Sequence, residues 1–305
     1  MLLFFSQGLL VSMKIFDLPR TEEEAVVFLQ EKSILPAERI CPNNHKMKLY
    51  FGSRIFWQCN VKSCKKKVNM RVNNWFADSR LPFVTAVRFF YCLAKDLTSI
   101  KWCEEQLDMA DKTTIDWNSY MREAVAEYLI QQLPQQKICG KDMIVEIDES
   151  MFTKRKSNAG RVLPQQWIFG GLCRDTGECF LVQVPDQSSK TLMAEIKKHI
   201  KRGTTIYSDS WPAYNTKELE KSGFHHLNVN HKYNFVDPNT GAHTQTVERL
   251  WGSTKWRNKK HCGTARHHLE SYLAEFMWRK HVACTDVFES LLEAIATFWP
   301  PELQM

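Results

Sequence analysis

Apolar residues recur at helical intervals in the first half of the chain and at strand intervals in the second half. Thr21 followed by Glu24 forms a capping-box pattern and predicts a short helix over 21–32. Residues 81 to about 132 repeat apolar positions three and four apart, which predicts three consecutive helices. The break at 108–110 is typical of a helix-turn-helix, although the same pattern fits a three-helix bundle that does not bind DNA.

Alternation of apolar and polar residues predicts a strand that begins at about Met143. Val145 and Ile147 share one face of this strand, and Glu146 and Asp148 share the other. This parity predicts that Asp148 faces a polar side. The residue after it, a second acid, is then expected to point back toward the apolar core.

Further strands are predicted at 166–173, 179–184 and 204–208, with a helix at about 190–201 before the last of them. The run at 210–212, Ser-Trp-Pro, is expected to begin another helix, because a hydroxyl cap followed by proline favours a helix start. Three meandering strands, a helix and a fourth strand that ends in an acid follow the order of the ribonuclease-H-like fold. The expected fold class is therefore α/β, with a mixed sheet flanked by helices.

Three acids fall where such a fold would bring separate segments together. Asp148 lies within the first of these strands, Asp209 at the end of the fourth, and Glu248 on a helix predicted over 244–260. Carboxylates that converge from three segments are suited to hold two divalent cations for phosphoryl transfer on nucleic acid. If Glu248 stood alone, the pattern would indicate only an amphipathic surface helix.

The predicted helix at 244–260 has two distinct faces. One face presents a carboxylate for metal, a glycine that would let a DNA strand approach closely and a lysine for a phosphate: Glu248, Gly252 and Lys255. The opposite face is directed to the core and consists of Val247, Leu250, Trp251 and Thr254.

Composition and charge favour a polyanionic partner. The 305-residue chain has 41 lysines and arginines against 34 acids, which gives a net charge of +7. The candidate DNA-binding residues are Lys62, Lys65, Lys66, Lys67, Lys154, Arg155, Lys156, Lys255, Arg257, Lys259 and Lys260. On charge alone, a basic protein without such a partner, whose lysines only face solvent, is the alternative.

Four residues near the N-terminus have the spacing of a metal site. Cys41 and His45 form one pair and Cys59 and Cys64 form another, separated by a strand-like stretch at 48–58. Two such pairs predict a zinc ribbon that holds one structural Zn²⁺. The alternative is a surface histidine and no metal. The remaining cysteines are scattered among apolar neighbours, which predicts buried thiols in a reducing compartment rather than a disulfide framework.

The apolar run at 1–12 lacks a basic segment and is too short to cross a bilayer. Other stretches are also too short and too polar, so we expect a soluble protein without membrane association. Met13, followed by Lys14, is a candidate translation start.

Four sequence runs together resemble one protein family. IDESMFTKRKSNAGR, WIFGGLCRDTG, IYSDSWPAYN and VNHKYNFVDPNTGAHTQTVERLWGSTKW resemble the Merlin family of cut-and-paste DNA transposases, which is similar to a group of bacterial insertion-sequence transposases. The likeness spans Cys41 to His281. It departs from the family pattern at His45, where a cysteine is expected, and residues 1–12 match nothing.

This resemblance implies an aspartate-aspartate-glutamate transposase that acts on double-stranded DNA at terminal inverted repeats and joins the ends to target DNA. The catalytic and metal-binding triad then falls on Asp148, Asp209 and Glu248, with two Mg²⁺ or Mn²⁺ ions. A homo-oligomer that brings two ends together and a nuclear location are also expected. Two other classes stay open: a captured transposase that only binds DNA, and a ribonuclease-H-like nuclease that does not join strands.

The expected domain order is an N-terminal tail and short helix at 1–40, a zinc ribbon at 41–80, a helical helix-turn-helix-like domain at 81–137, a ribonuclease-H-like catalytic domain at 140–285 and a C-terminal helix or tail at 286–305.

Overall fold

Two compact units make up the chain: residues 1–128 together with 282–305, and residues 129–281. The computed structural model describes residues 13–52, 54–132, 137–152, 166–260 and 266–302, without the side chains of 132, 257–260, 266 and 267. Among the described residues, no helix combines the length and the apolar character needed to cross a bilayer. The apolar run at 1–12 lies outside the described residues.

The regular elements follow one another in a fixed order. The helices are α1 (Glu22–Glu31), α2 (Phe83–Ala94), α3 (Ile100–Leu107), α4 (Asp111–Gln132), α5 (Ser189–His199), α6 (Thr216–Lys221), α7 (Gln245–Lys260), α8 (Arg266–His281) and α9 (Val287–Phe298). The strands are β1 (Lys48–Tyr50), β2 (Phe56–Gln58), β3 (Lys67–Asn69), β4 (Ile144–Met151), β5 (Trp167–Cys173), β6 (Cys179–Val184), β7 (Thr205–Asp209) and β8 (His225–Val229).

The first unit joins a small antiparallel sheet, in the order β1-β2-β3, to a group of helices. Thr21 and Glu24 form the predicted capping box of α1. The three helices expected between 81 and 132 are confirmed as α2, α3 and α4. The strand-like stretch at 48–58 forms the two strands of a hairpin, because the chain reverses between β1 and β2.

Aromatic packing holds the helices of the first unit together. The Trp117 ring on α4 lies 5.0 Å from that of Trp75 and 5.7 Å from that of Phe89 on α2. On the other side of α2, the ring of Tyr91 lies 5.4 Å from that of Phe288 on α9. Large buried rings contribute most of the apolar area removed from water in such a core.

The second unit is built on a five-stranded sheet in the order β6-β5-β4-β7-β8. β4, β5 and β6 are antiparallel neighbours, whereas β7 and β8 run parallel to β4. A meander of three strands followed by two parallel strands on the other edge is the topology of the ribonuclease-H-like fold. The fold class expected from the sequence is confirmed.

Two predictions in this unit are wrong. The run at 210–212 does not begin a helix: α6 begins at Thr216, where the Asn215 side chain caps it by accepting from the Glu218 N–H. The acid at the end of β7 binds the backbone of this run and holds it in a turn. The predicted fold also lacked strand β8, whose sequence HHLNV is more polar than a typical strand.

Both faces of the sheet are covered. Val145, Ile147 and Phe169 pack with α5 on one face, and Ile168 and Leu172 face α7 and α8 on the other. The face of β4 that was expected to be polar is therefore covered by a helix. The reason is that apolar residues of β5 and β6 share that face and need a cover.

Cys139 and Cys173 form a disulfide in the second unit, with 5.6 Å between their Cα atoms. The expectation of unpaired thiols is wrong for these two residues. They are 34 positions apart in sequence, so only the fold brings them together, at the end of β5 within one core cluster.

Candidate active site

Strands β4 and β7 set the two candidate aspartates side by side. Their parallel register pairs Glu146 with Tyr207. Continued two residues further, the same register places Asp148 beside Asp209 on one face of the sheet, because paired residues of parallel strands share a face. Asp209 ends β7, as predicted, and its Oδ1 accepts the backbone N–H of Trp211 at 3.0 Å.

Helix α7 covers this face of the sheet and carries the third acid. Val247, Leu250 and Trp251 are buried, whereas Glu248 and Gly252 are exposed. The predicted division of this helix into a core face and an open face is confirmed. Packing of the core face against the sheet therefore determines where Glu248 stands.

The ring of Trp251 lies on Gly170, the residue of β5 that pairs with Asp148. A Cβ atom at Gly170 would stand 2.7 Å from Trp251 Cη2, so only glycine leaves room for the ring. In this position the indole Nε1 donates to Asp148 Oδ2 at 2.9 Å, while the Glu149 N–H donates to Asp148 Oδ1 at 2.8 Å. Both oxygens of Asp148 are thus oriented by the fold.

Three polar contacts join β4 to α7 at regular intervals, and we call them the β4–α7 ladder. Glu146 accepts from the first turn of the helix, Asp148 accepts from Trp251, and Ser150 accepts from Lys255. Alternate strand residues advance by about 6.6 Å and four helical residues by about 6 Å, so strand and helix stay in step. This match places the acid-bearing turn of α7 against the middle of β4.

Glu146 is a site residue that sequence reasoning missed. It is fully buried, and its Oε2 accepts the N–H groups of Thr246 at 2.7 Å and Val247 at 2.9 Å. Its Oε1 accepts from Arg174 Nε at 2.5 Å. A carboxylate stabilises a helix N-terminus by satisfying free N–H groups and by opposing the helix dipole. Glu146 therefore fixes the start of the helix that carries Glu248. The sequence offered one sign of this role, because Glu146 lies on the same face of β4 as Asp148.

The acids of the site influence one another electrostatically. Burial raises the pKa of Asp148 to about 6, and the charges of Asp209 and Glu248 add to the rise. On the opposite face of β4, burial raises the pKa of Glu149 to about 7, and this side chain accepts the Tyr214 hydroxyl. Tyr214 belongs to the apolar core, so the predicted inward direction of Glu149 is confirmed.

Glu248 has polar neighbours at the N-terminal end of α7. Its Oε1 lies 3.4 Å from the Thr244 hydroxyl, which donates to it, and 3.7 Å from His231 Nε2. Among the described residues, the three acids do not form a cluster with all ligand atoms within 4.8 Å of one another. Repulsion between the like charges favours a wider separation of the three acids, and cations placed between the carboxylates would relieve this repulsion.

The basic candidates divide into three groups. Lys62, Lys65, Lys66 and Lys67 are exposed around the second cysteine pair. Lys255 lies at the active site, where its Nζ contacts Ser150 and stands 5.3 Å from the centre of the Phe152 ring. Lys154, Arg155 and Lys156, and the side chains of Arg257, Lys259 and Lys260, lie outside the described residues.

The cysteine and histidine pairs of the first unit converge as predicted. The ligand atoms of Cys41, His45, Cys59 and Cys64 all lie within 4.8 Å of one another. His45 Nδ1 is 3.6 Å from the Sγ atoms of Cys41 and Cys59, and the Cys64 and Cys41 Sγ atoms are also 3.6 Å apart. Tetrahedral zinc–sulfur and zinc–nitrogen bonds give ligand separations of about 3.5–3.8 Å. The donor set and its spacing fit a zinc ion.

The second unit is similar in sequence to known proteins. Residues 141–281 match the family model of the ISXO2-like transposase domain. The ISXO2-like match contains all three candidate acids. An uncharacterized transposase-like protein of Haemophilus influenzae is 29% identical over 100 residues, which cover 33% of this chain and 78% of that protein.

Solved structures similar to this chain include two integrase catalytic cores. The catalytic core of BIV integrase is 14% identical, covers 45% of this chain and 81% of its own, and has a TM-score of 0.30. The HTLV-2 integrase catalytic core in complex with magnesium is 12% identical, with 46% and 84% covered and a TM-score of 0.30. The order and direction of the five strands define the fold of the second unit.

Proposed function

We propose that this protein is a DNA transposase of the Merlin type that cuts transposon ends and joins them to target DNA. One observation carries the proposal: the β4/β7 register sets Asp148 beside Asp209, and α7 brings Glu248 to the same face of the sheet. The family match over 141–281 and the sequence resemblance agree with this reading.

Asp148, Asp209 and Glu248 would hold two Mg²⁺ or Mn²⁺ ions. Burial and the charges of the other two acids raise the pKa of Asp148, so a bound cation would offset the cost of its ionised form. Bound ions would supply activation of the attacking water and stabilisation of the departing 3′-oxygen. Trp251 would hold one oxygen of Asp148 in place, so this carboxylate would need to move less during the reaction.

Lys255 would bind a phosphate of the substrate next to the carboxylates. Its contact with Ser150 directs the ammonium group toward the strand that carries Asp148. The freed 3′-hydroxyl of the transposon end would then attack a phosphodiester of target DNA in the same site. This transesterification exchanges one phosphodiester for another and needs no high-energy cofactor.

The first unit would recognise DNA. The four exposed lysines around the cysteine cluster form a cationic surface, and a structural Zn²⁺ at Cys41, His45, Cys59 and Cys64 would hold that surface in shape. Helices α3 and α4, separated by a short turn, would provide a helix-turn-helix contact with terminal inverted repeats. A homo-oligomer that pairs two ends and a nuclear location complete the proposal.

The decisive experiment incubates full-length protein with DNA that carries the flanking inverted repeats and with Mg²⁺ or Mn²⁺. We expect nicked ends followed by joined products. Asp209→Asn should abolish both steps and keep DNA binding, whereas Asp142→Asn, a change at an exposed acid outside the site, should alter neither. Cleavage without joining would indicate a nuclease, and binding without cleavage would indicate a captured DNA-binding protein.

A second experiment tests the cationic surface. Lys65→Ala and Lys66→Ala should each weaken DNA binding uniformly across sequences and reduce the slope of log affinity against log salt by about one unit. An unchanged slope would show that these lysines face only solvent.

A further inference from the structure

Exposed hydrophobic side chains in the second unit are concentrated next to the candidate acids. Among its described residues, the large hydrophobic side chains with high exposure are Ile130, Trp211, Tyr233, Phe235, Val236 and Trp256. All but Ile130 lie on the segment after β7, on the segment between β8 and α7, or on α7 itself. Exposed aromatic residues confined to one part of a surface indicate a binding site.

Two of these rings stand almost free on one segment. Tyr233 is 71% exposed and Phe235 is 75% exposed, and both lie in the segment 230–243, which we call the aromatic loop. Lys232 Nζ lies 5.5 Å from the centre of the Tyr233 ring. Two aromatic rings in water lose the free energy that burial would supply. We therefore expect a ligand to cover them.

Hydrogen-bonded turns on both sides shape the backbone of the aromatic loop. Asn230 O accepts from the N–H groups of Tyr233 and Asn234, both at 3.0 Å. Beyond the rings, Asp237 Oδ1 accepts from the Thr240 N–H at 2.8 Å, and the Asp237 N–H donates to Ala242 O at 2.9 Å. The backbone on both sides of the two rings is therefore held in hydrogen-bonded turns.

The ends of the aromatic loop meet beside the catalytic helix. His231 Nε2 lies 2.7 Å from the Thr244 hydroxyl and 3.7 Å from Glu248 Oε1. The rings are two and four residues from His231, so the contact of His231 with Glu248 links the segment that carries them to the candidate site.

We propose that Tyr233 and Phe235 stack on unpaired nucleobases of the DNA strand at the cleavage site. The inference rests on the proposed action on DNA and adds a base-binding surface to it. Aromatic faces bind successive bases without sequence preference, since every base has a π face. Bases next to a cleaved phosphodiester become available when the duplex opens at that point.

Charge favours a nucleic acid over a protein as the occupant. Lys232 within the aromatic loop, beside Tyr233, and Lys255, which contacts Ser150 on β4, each supply a cation. A strand whose phosphates follow these cations would bring its bases to the rings. A hydrophobic protein partner would leave Lys232 without an anionic neighbour from the ligand.

The test measures DNA binding by full-length protein in an Asp209→Asn background, where cleavage does not interfere. Three labelled probes are compared by fluorescence anisotropy: a paired duplex, the same duplex with a short 3′ single-stranded extension, and that extension with abasic sites. The parent protein should bind the base-containing extension about tenfold more tightly than the other two probes.

Tyr233→Ala combined with Phe235→Ala should remove this preference and leave affinity for the paired duplex unchanged. Tyr233→Phe should retain it, because the ring remains, whereas Tyr233→Leu should reduce it. Ile130→Ala removes an exposed apolar side chain, 64% exposed, away from the acids and should change nothing.

Equal affinity of the double alanine variant and its parent for the base-containing extension would overturn the proposal. So would a parent that does not distinguish bases from abasic sites, or a double variant whose sedimentation shows a smaller oligomer. The binding assay requires no catalysis. Absence of cleavage by the unmodified protein would therefore refute the transposase function without deciding whether the two rings bind bases.

Discussion

The indole N–H of Trp251 on α7 donates to Oδ2 of Asp148 on β4 at 2.9 Å, which links this helix directly to the central strand of the sheet. One side chain thus packs the helix onto the sheet and orients a candidate metal ligand. The same ring occupies the space that the absent side chain of Gly170 leaves open.

Trp251→Phe should separate these two roles. The phenyl ring retains most of the packing, but Asp148 loses a charge-assisted hydrogen bond. We expect a roughly tenfold slower metal-dependent cleavage, which corresponds to about 1.4 kcal/mol, with a smaller change in melting temperature. Trp167→Phe, the same exchange on β5, is the matched control. A variant that cleaves at the normal rate would show that Asp148 needs no such donor.

Gly170→Ala should displace Trp251, because the added Cβ would stand 2.7 Å from Cη2 and 2.8 Å from Leu181 Cδ2. Overpacking of this kind costs about 1–3 kcal/mol. Gly252→Ala is the control, since nothing lies within 4 Å of its added Cβ; it should stabilise α7 by about 0.5–1 kcal/mol. Chemical denaturation of the DNA-free protein measures both, and equal effects would contradict the close packing at Gly170.

Glu146→Gln should destabilise the second unit and weaken metal binding together. The change leaves Arg174 without its buried anionic partner, and breaking such a pair costs about 3–5 kcal/mol. It also weakens the N-terminal cap of α7, so Glu248 should hold metal less tightly. Thermal melts with and without Mn²⁺ test this. Glu220→Gln, at an exposed acid of α6, should have no effect.

The metal-free protein should become more stable when Asp148 is neutralised. Its folded pKa of about 6 lies above the ordinary value of 3.8, so the folded state binds the proton more tightly than the unfolded state. The ionised form therefore costs stability above pH 4, and fully above pH 6. At pH 7.5 Asp148→Asn should raise the free energy of unfolding by on the order of 1–3 kcal/mol, and the gain should vanish near pH 3.

Metal addition supplies the control for that experiment. Mn²⁺ should raise the melting temperature of the unmodified protein but not that of Asp148→Asn, because binding to the folded state alone stabilises it. Asp142→Asn, at an exposed acid, should behave as the unmodified protein does in both measurements. If Asp148→Asn were less stable than the unmodified protein at pH 7.5, the ionised Asp148 would not destabilise the metal-free fold.

Zinc removal should unfold the small sheet of the first unit. A sheet of three three-residue strands buries little apolar area, so metal binding would supply most of its folding free energy, about 10 kcal/mol. Elemental analysis should find one zinc per chain, and a chelator should expose buried Trp57 and shift its fluorescence. Cys59→Ser should lose zinc, whereas Cys284→Ser, at an exposed cysteine, should retain it. A folded sheet without zinc would refute the ribbon.

The sequence predicted the element that carries each acid, because strand parity and helix periodicity are local patterns. Asp148, Asp209 and Glu248 each occupy the predicted element. Their supporting contacts are not local: Glu146 reads as an ordinary polar strand residue until α7 is seen to begin on it. A one-dimensional pattern cannot show which helix will cover which strand.

Strand β8 was missed for a related reason. Its sequence is polar, yet His226 is buried and contacts the hydroxyls of Ser208 at 2.9 Å and Thr216 at 2.8 Å. Burial lowers the pKa of His226 to about 4, which keeps the ring neutral between its two partners. Hydroxyl partners from two other elements make a histidine acceptable at a buried position, and these partners become apparent only in three dimensions.

The even pitch of the β4–α7 ladder makes the spacing along α7 as important as the identity of its residues. One inserted residue between Trp251 and Lys255 would turn everything beyond it by about 100° around the helix axis. Lys255 would swing away from Ser150 while Glu248 stayed in place. We therefore expect this stretch to accept substitutions far more readily than insertions or deletions.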